Sequence, residues 1–208
     1  QAVDEWNLWL PPREKNVSMH NVTYTMRDAL YAASTLIAFY RHCHTVGMAN
    51  MAQLVNVLPL IQTDSNAAIA TAMFYPFVLL SQMQSTVVRC ETICDSFDTK
   101  EFSINMGSHK NVPYLDVLAT ISEDRSNLSV ILVNRYPGNR LDLDLKLGSR
   151  GASVNNAMQI TSSSPGAFNS FSHPNMIRLT DAPSPKYKDG SYRVKLKPCS
   201  IFFVTFEL

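Results

Sequence analysis

The sequence YLDVLATISEDRSNLSVILVN, residues 114–134, places two apolar segments on either side of a short polar loop. Residues 114–121 and 128–134 are mostly aliphatic and β-branched, whereas residues 122–127 are all charged or polar. Apolar runs of this length that are separated by turn-forming residues predict two strands of an antiparallel hairpin. This hairpin decides the fold class of the second half of the chain.

The sequence on both sides of this hairpin shows the same kind of pattern. Residues 86–93 are rich in β-branched side chains, and residues 141–147 alternate Leu with Asp and Lys, which predicts a strand with one wet face. Residues 192–196 and 201–206 are further predicted strands, and residues 162–174 are a predicted loop. Short strands at intervals of roughly 8–12 residues are typical of an antiparallel β-sandwich.

The first half of the chain has a helical period. A helix is predicted from the capping box Thr25–Asp28 onward, because apolar residues then recur at spacings of four, three, four and three: Met26, Leu30, Ala33, Ile37 and Tyr40. Arg41, His42 and His44 near its end favour the helix dipole.

The segment after this helix predicts one more strand and one more helix. Residues 46–58 are almost continuously apolar, which is typical of a buried parallel strand. Residues 63–66 supply turn and N-cap side chains, and residues 67–83 predict a second helix that Pro76 kinks or interrupts. Helix, strand and helix form a piece of an α/β fold. Because the apolar period changes near Ser85, we expect two domains, 1–84 and 85–208.

Composition excludes several classes of protein. Of 208 residues, 46% are hydrophobic and 17% are charged, so the chain can bury a core and is not disordered. The net charge of +1 shows no electrostatic footprint for nucleic acid. The longest apolar stretch, residues 67–80, is interrupted by Thr71 and Pro76, so no membrane partner is expected.

The beginning of the chain is unusual for a whole protein. The sequence opens at Gln1 without a Met, and no pattern of a signal peptide follows. We therefore expect the C-terminal part of a longer protein. The cellular compartment and self-association into a homo-oligomer are left open.

No cofactor or metal is expected from the cysteines and histidines. Cys90 and Cys94 form one C-x3-C pair without a second pair, and two histidines two residues apart on a helix, His42 and His44, would point apart. The four cysteines are expected to be reduced and mostly buried.

The hexapeptide Asp4-Glu5-Trp6-Asn7-Leu8-Trp9 combines a carboxylate with two tryptophans. A carboxylate can attack or stabilise a cationic anomeric carbon, and an indole offers a rigid apolar face on which a sugar can stack. The alternative interpretation is an ordinary strand end. By itself the hexapeptide predicts carbohydrate chemistry only weakly.

Four motifs in order resemble a known family. The hexapeptide is followed by Ala49-Asn50-Met51-Ala52-Gln53-Leu54-Val55-Asn56-Val57, then by Phe74-Tyr75-Pro76-Phe77 and Val112-Pro113-Tyr114-Leu115-Asp116. Together they resemble glycoside hydrolase family 51, the α-L-arabinofuranosidases. The resemblance implies an α/β barrel fragment, the last β/α units of a TIM barrel beginning at the seventh strand. An antiparallel, jelly-roll-like β-sandwich would follow it.

The resemblance also implies roles for three residues. Glu5 matches the catalytic nucleophile, Trp9 matches the aromatic residue that lines the sugar subsite, and Gln53 matches a residue that hydrogen-bonds arabinose. The substrate implied is an arabinose-containing polysaccharide or oligosaccharide with a terminal, non-reducing α-L-arabinofuranoside. Asn7 is not included among the site residues, although its hydrogen bonds could support the site.

The family's general acid/base is not found in this sequence. It is a Glu that follows an Asn on the fourth strand, and no Asn-Glu dipeptide occurs here. Retaining hydrolysis needs two carboxyl groups about 5–5.5 Å apart, so the 208-residue chain is expected to be inactive alone. The alternative function is a non-catalytic carbohydrate-binding or structural β-sandwich that carries a relic of a barrel.

Overall fold

The computed structural model describes residues 1–11, 22–101, 107–148 and 151–208. These ranges contain two helices, α1 (Met26–Arg41) and α2 (Phe74–Leu80), and are otherwise mostly strands and loops. No helix within them is long and apolar enough to cross a membrane. The strands are β1 Ala2–Trp6, β2 Met48–Met51, β3 Ile61–Thr63, β4 Ala68–Ala70, β5 Thr86–Val88, β6 Ser96–Phe97, β7 Val112–Pro113, β8 Leu115–Ile121, β9 Asn127–Asn134, β10 Leu141–Leu145, β11 Ser153–Ile160, β12 Leu179–Asp181, β13 Lys186–Lys188, β14 Ser191–Leu196 and β15 Ser200–Glu207.

A six-stranded antiparallel sheet is the centre of the molecule. Its strand order is β12-β11-β15-β9-β8-β5, and the predicted hairpin of β8 and β9 lies next to β15. Leu118 pairs with Ile131, which pairs with Phe203 on the other side. The second half of the chain is therefore rich in antiparallel strands, as the sequence predicts.

The central strands are apolar on both faces because each face packs against a different layer. Alternate residues of a strand point to opposite sides. In β9, Ile131 and Val133 join the core beneath the helices, whereas Val130 and Leu132 join the core between the two sheets. Continuous burial explains why β8, β9 and β15 read as nearly unbroken apolar runs.

A three-stranded sheet of order β10-β14-β13 covers the other face of the large sheet. Leu143 and Leu145 of β10 face the inner core, whereas Asp142 and Asp144 pair with Lys195 and Arg193 on the outer face. The predicted wet face of this strand is confirmed. The two facing sheets agree with the expected sandwich.

The helix layer shares one core with the large sheet. Met26, Ala33 and Ile37 of α1 belong to the same buried cluster as Ile201 and Phe203 of β15. This cluster crosses the predicted boundary at residue 84. Residues on both sides of the boundary therefore pack into one core. The division into domains 1–84 and 85–208 stays a prediction.

The first predicted helix is confirmed, whereas the second is shorter than expected. α1 begins at a capping box in which the backbone N–H and the hydroxyl of Thr25 both donate to Asp28. Residues 67–83 do not form one helix, since β4 precedes α2 and residues 64–67 make the turn of the β3–β4 hairpin. Pro76 is the third residue of α2, where its missing N–H would have had no partner within the helix.

Two predicted strands are also shorter than expected. Within residues 46–58 only β2 is a strand, and it is partly exposed. Positive φ angles at Asn56 and Leu58 break the extended chain further on. Within residues 86–93 only β5 pairs with the sheet, because the side chains after Val88 have no buried face to fill.

The histidines and cysteines also differ from expectation in their placement. His42 and His44 lie beyond the end of α1 instead of on it, with ring centroids 6.1 Å apart. All four cysteines are free, as expected, but only Cys199 is buried, so the expectation of mostly buried thiols is wrong.

Candidate active site

Two parallel strands place the predicted site residues at one end of the molecule. β1 and β2 are parallel, with Val3 opposite Ala49 and Trp6 opposite Met51, and the register shifts at a bulge between these two pairs. α1 is the crossover between the strands. Parallel strands end on the same side. Glu5 therefore lies near the carboxyl end of β1, and Gln53 follows the carboxyl end of β2.

Trp6 packs against the helices, whereas Glu5 is exposed. The Trp6 ring stacks on Phe77 at 5.7 Å and meets the edge of Phe39 at 5.4 Å, and only 8% of the residue is exposed. Glu5 lies in the bulged part of β1 and is exposed, in contrast to the buried Trp6 that follows it. Of the two tryptophans in the hexapeptide, Trp6 is a core residue and cannot stack on a sugar.

Trp9 and Gln53 both lie on segments that leave the strand ends. Trp9 is 63% exposed and follows β1 by three residues. Gln53 is exposed, and the residue before it, Ala52, donates its backbone N–H to the Trp6 carbonyl at 3.2 Å. The chain folds so that all three predicted residues belong to the same end of the β1–β2 pair. Their individual roles remain predictions.

Asn7 is a structural centre of this end that the sequence analysis left out. Its side-chain amide donates to the carbonyls of Ala52 at 2.7 Å and Leu58 at 2.8 Å. Its Oδ1 accepts the Leu8 N–H at 2.7 Å and the Tyr24 hydroxyl at 3.0 Å. Its position two residues after Glu5 is the one feature of the sequence that points to a role at the site. Most of its hydrogen-bond partners are distant in sequence, so the sequence does not predict them.

Tyr24 closes this network from the side of the helix. The residue is 2% exposed, and its hydroxyl also reaches the Leu8 carbonyl at 2.9 Å. Burial, with the nearby Asp28 carboxylate, raises the pKa of Tyr24 above its usual range. The phenol therefore remains a hydrogen-bond donor throughout the physiological range of pH.

A loop from the C-terminal half also reaches this part of the molecule. The predicted loop 162–174 docks on the start of α1, where Met26 N–H donates to the Ala167 carbonyl at 2.9 Å. The buried Asn169 amide donates to Ala70, at the end of β4, at 3.0 Å. This loop ties the β3–β4 hairpin to the sandwich.

Two other features do not add to the site. Within the described ranges, no group of three His, Cys, Asp or Glu side chains could hold a metal ion. A cavity of about 1270 Å³ opens between the two sheets of the sandwich, lined by residues such as Val130, Leu143 and Leu145. Since Glu5, Trp9 and Gln53 do not line that cavity, its size says nothing about the predicted sugar site.

The chain matches one family over nearly its whole length. Residues 4–200 match the family model of the α-L-arabinofuranosidase C-terminal domain. An intracellular exo-α-L-arabinofuranosidase of Bacteroides ovatus is 27% identical over 209 residues, covering 99% of this chain and 39% of that protein. A probable α-L-arabinofuranosidase C of Aspergillus fumigatus is 32% identical over 133 residues, covering 63% of this chain and 26% of that protein.

Solved structures show the same relationship. The α-L-arabinofuranosidase of Thermotoga maritima, in complex with arabinose, aligns with a TM-score of 0.87 and 26% identity, over 100% of this chain and 43% of that chain. The family 51 enzyme of Thermotoga petrophila aligns with a TM-score of 0.86 and 25% identity, over 98% of this chain and 42% of that chain. The chain thus spans less than half the length of these relatives. It belongs to the family of α-L-arabinofuranosidase C-terminal domains found in glycoside hydrolase family 51.

Proposed function

We propose that this chain is the C-terminal portion of a retaining, exo-acting α-L-arabinofuranosidase. The observation that carries the proposal is the placement of Glu5 and Gln53 at the carboxyl ends of two adjacent parallel strands. Active sites of β/α barrels gather at that face of the strands. The full-length enzyme would remove terminal arabinofuranosyl units from arabinose-containing polysaccharides or oligosaccharides.

In this proposal, residues 1–84 are the last β/α units of a TIM barrel, and residues 85–208 are its jelly-roll-like sandwich. The β1-α1-β2 unit supports it, since parallel strands normally occur with both faces covered. Here the open side of the pair is exposed, and Met48 is 54% exposed. The length of the relatives supports the further barrel strands that would cover this side.

Glu5 acts as the nucleophile in the proposed mechanism. Its carboxylate attacks the anomeric carbon and forms a covalent glycosyl-enzyme, while an acid from the upstream part of the enzyme protonates the leaving oxygen. The same upstream group then activates the water that releases arabinose. Trp9 offers a stacking face to the sugar, and the Gln53 amide offers donors and an acceptor to its hydroxyls.

Replacing Glu5 with Gln in the full-length enzyme tests this mechanism. The change keeps the shape of the side chain but removes the nucleophile, so turnover of an aryl arabinofuranoside should fall by about 10⁴-fold or more. Azide should restore part of the turnover of Glu5→Ala and yield an azide product of inverted configuration.

Glu91→Gln is the matched control, because Glu91 is an exposed carboxylate in the second half of the chain. It should keep normal turnover. If Glu5→Gln also kept nearly normal turnover, Glu5 would not be the nucleophile, and the alternative of a non-catalytic β-sandwich with a relic of a barrel would gain support.

A further inference from the structure

We infer that Asn7 is a positioning residue that holds the nucleophile strand and the Gln53 segment in one fixed arrangement. The inference rests on the proposed function and extends it to a residue that does not need to touch the substrate. Asn7 lies two residues after Glu5, and it donates to the carbonyl of Ala52, the residue directly before Gln53. Through β1 and the segment after β2, the Asn7 side chain therefore connects Glu5 and Gln53, two residues that are predicted to contact the sugar.

The amide of Asn7 uses all of its hydrogen-bonding capacity. A primary amide has two N–H donors and one oxygen with two lone pairs. The donors reach Ala52 at 2.7 Å and Leu58 at 2.8 Å, and the oxygen accepts from Leu8 at 2.7 Å and Tyr24 at 3.0 Å. Ala52 and Leu58 lie on the segment after β2, Tyr24 precedes α1, and Leu8 is the next residue of the chain, so the network joins three backbone segments.

Only an amide fits this set of partners. An ionised Asp at position 7 has no donor, and it would place a negative oxygen against the carbonyls of Ala52 and Leu58. An Ala would remove the donor of those two carbonyls, and the Tyr24 hydroxyl would keep only the Leu8 carbonyl as its acceptor. Both changes would release the Gln53 segment from the end of β1.

The link matters because nucleophilic attack depends on position. A displacement of about 1 Å in a reacting group can cost about 10²-fold in rate. The neighbouring hydrogen bond from the Ala52 N–H to the Trp6 carbonyl is 3.2 Å long, which is longer than those of Asn7. Loss of Asn7 would therefore loosen both Glu5 and Gln53.

The chain contains a matched control at Asn134. Its amide also donates to two backbone carbonyls, those of Asn139 at 3.1 Å and Lys197 at 2.7 Å. Its oxygen accepts the Tyr136 N–H at 2.9 Å. Asn134 lies at the end of β9 in the sandwich, so its replacement should damage the fold in a similar way without reaching the site.

The test compares Asn7→Asp with Asn134→Asp in the full-length enzyme, with kcat and KM corrected for the folded fraction. Asn7→Asp should lower kcat/KM by about 10²-fold, mostly through kcat, whereas Asn134→Asp should stay within about twofold of the original enzyme. If both variants lost the same activity per folded molecule, Asn7 would be a stabilising residue only, and the inference would be overturned.

Tyr24→Phe provides a second variant in case Asn7→Asp does not fold. It removes one donor from the Asn7 oxygen and leaves both amide N–H bonds in place, so kcat should fall by about two- to tenfold. An unchanged kcat would count against the network. The Glu5→Gln variant shows separately whether the proposed function fails, because it would then remain active. If Glu5→Gln were inactive but Asn7→Asp and Asn134→Asp lost the same activity per folded molecule, only the role of Asn7 would be rejected.

Discussion

Asp28 shows how one carboxylate starts the long helix. Its Oδ2 accepts the backbone N–H of Thr25 at 2.6 Å and the Thr25 hydroxyl at 2.8 Å, in an almost fully buried position. Replacing a capping side chain with Ala costs about 0.5–2 kcal/mol of unfolding free energy. We expect Asp28→Ala to lose about 1 kcal/mol in urea denaturation. Asp181→Ala, an exposed change on β12, should stay within about 0.5 kcal/mol, and equal losses would refute the capping role.

Asp124 makes a prediction about pH at the turn between β8 and β9. The hydroxyl of Ser122 and the backbone and hydroxyl of Ser126 donate to its carboxylate, which lowers its pKa from 3.8 to about 2. Because the folded-state pKa is depressed, the contribution of Asp124 to stability is present above about pH 4 and is lost as the pH falls toward 2.

An NMR titration of the Asp124 carboxyl carbon should therefore show a pKa of about 2. Ser122→Ala removes the strongest donor and should move this pKa upward, toward the ordinary value of an aspartate. If the pKa of Asp124 did not change in Ser122→Ala, the hydrogen bond would not be its cause.

At the scale of elements, one ion pair joins α1 to the large sheet. Arg41, the last residue of α1, donates to Asp116 of β8 at 2.7 Å and to the Val117 carbonyl at 2.6 Å. The Asp116 side chain is 10% exposed, whereas that of Arg41 is 48% exposed, so solvent screens part of the attraction. The pair holds the end of the helix against the sheet.

Arg41→Met should destabilise the chain by about 1 kcal/mol, since it leaves a nearly buried carboxylate without its charged partner. Arg89→Met is the control, because the ion pair of Arg89 with Glu91 is exposed on both sides. Thermal unfolding of both variants would measure the difference. Equal melting temperatures would show that the Arg41 pair contributes no more than an exposed one.

At the scale of the whole molecule, the two predicted domains share a buried face. Leu118, Ile131, Val133, Ile201 and Phe203 of the large sheet are all buried beneath the helices. A chain reduced to residues 85–208 would expose this face to water. Exposed apolar patches of this kind lead to association.

We therefore expect residues 85–208 alone to bind more of the dye ANS and to aggregate more than the 208-residue chain does. Size-exclusion chromatography and dye fluorescence would measure both properties. A monomeric 85–208 fragment with a cooperative melt and no dye binding would show instead that the sandwich is an independent domain.

The sequence predicted those parts of the fold whose cause is local. The Thr25–Asp28 box and the apolar spacing after it predicted α1, and the alternation of Leu with Asp in residues 141–145 predicted one wet face. Residues 67–83 and 46–58 were predicted wrongly in extent. Their apolar composition suits a helix or strand, but pairing of β3 with β4 and positive φ angles in the chain override it.

By itself, the sequence determined the family, the capped helix, the central hairpin and three candidate residues of the site. Motifs and periodicity carry that information because each is contained in a short stretch of chain. Only the tertiary structure decided that Trp6 is buried between Phe39 and Phe77, and that Asn7 binds Ala52 and Leu58. These contacts join residues more than thirty positions apart in sequence. The burial of Trp6 and the hydrogen bonds of Asn7 therefore become evident only in the folded chain.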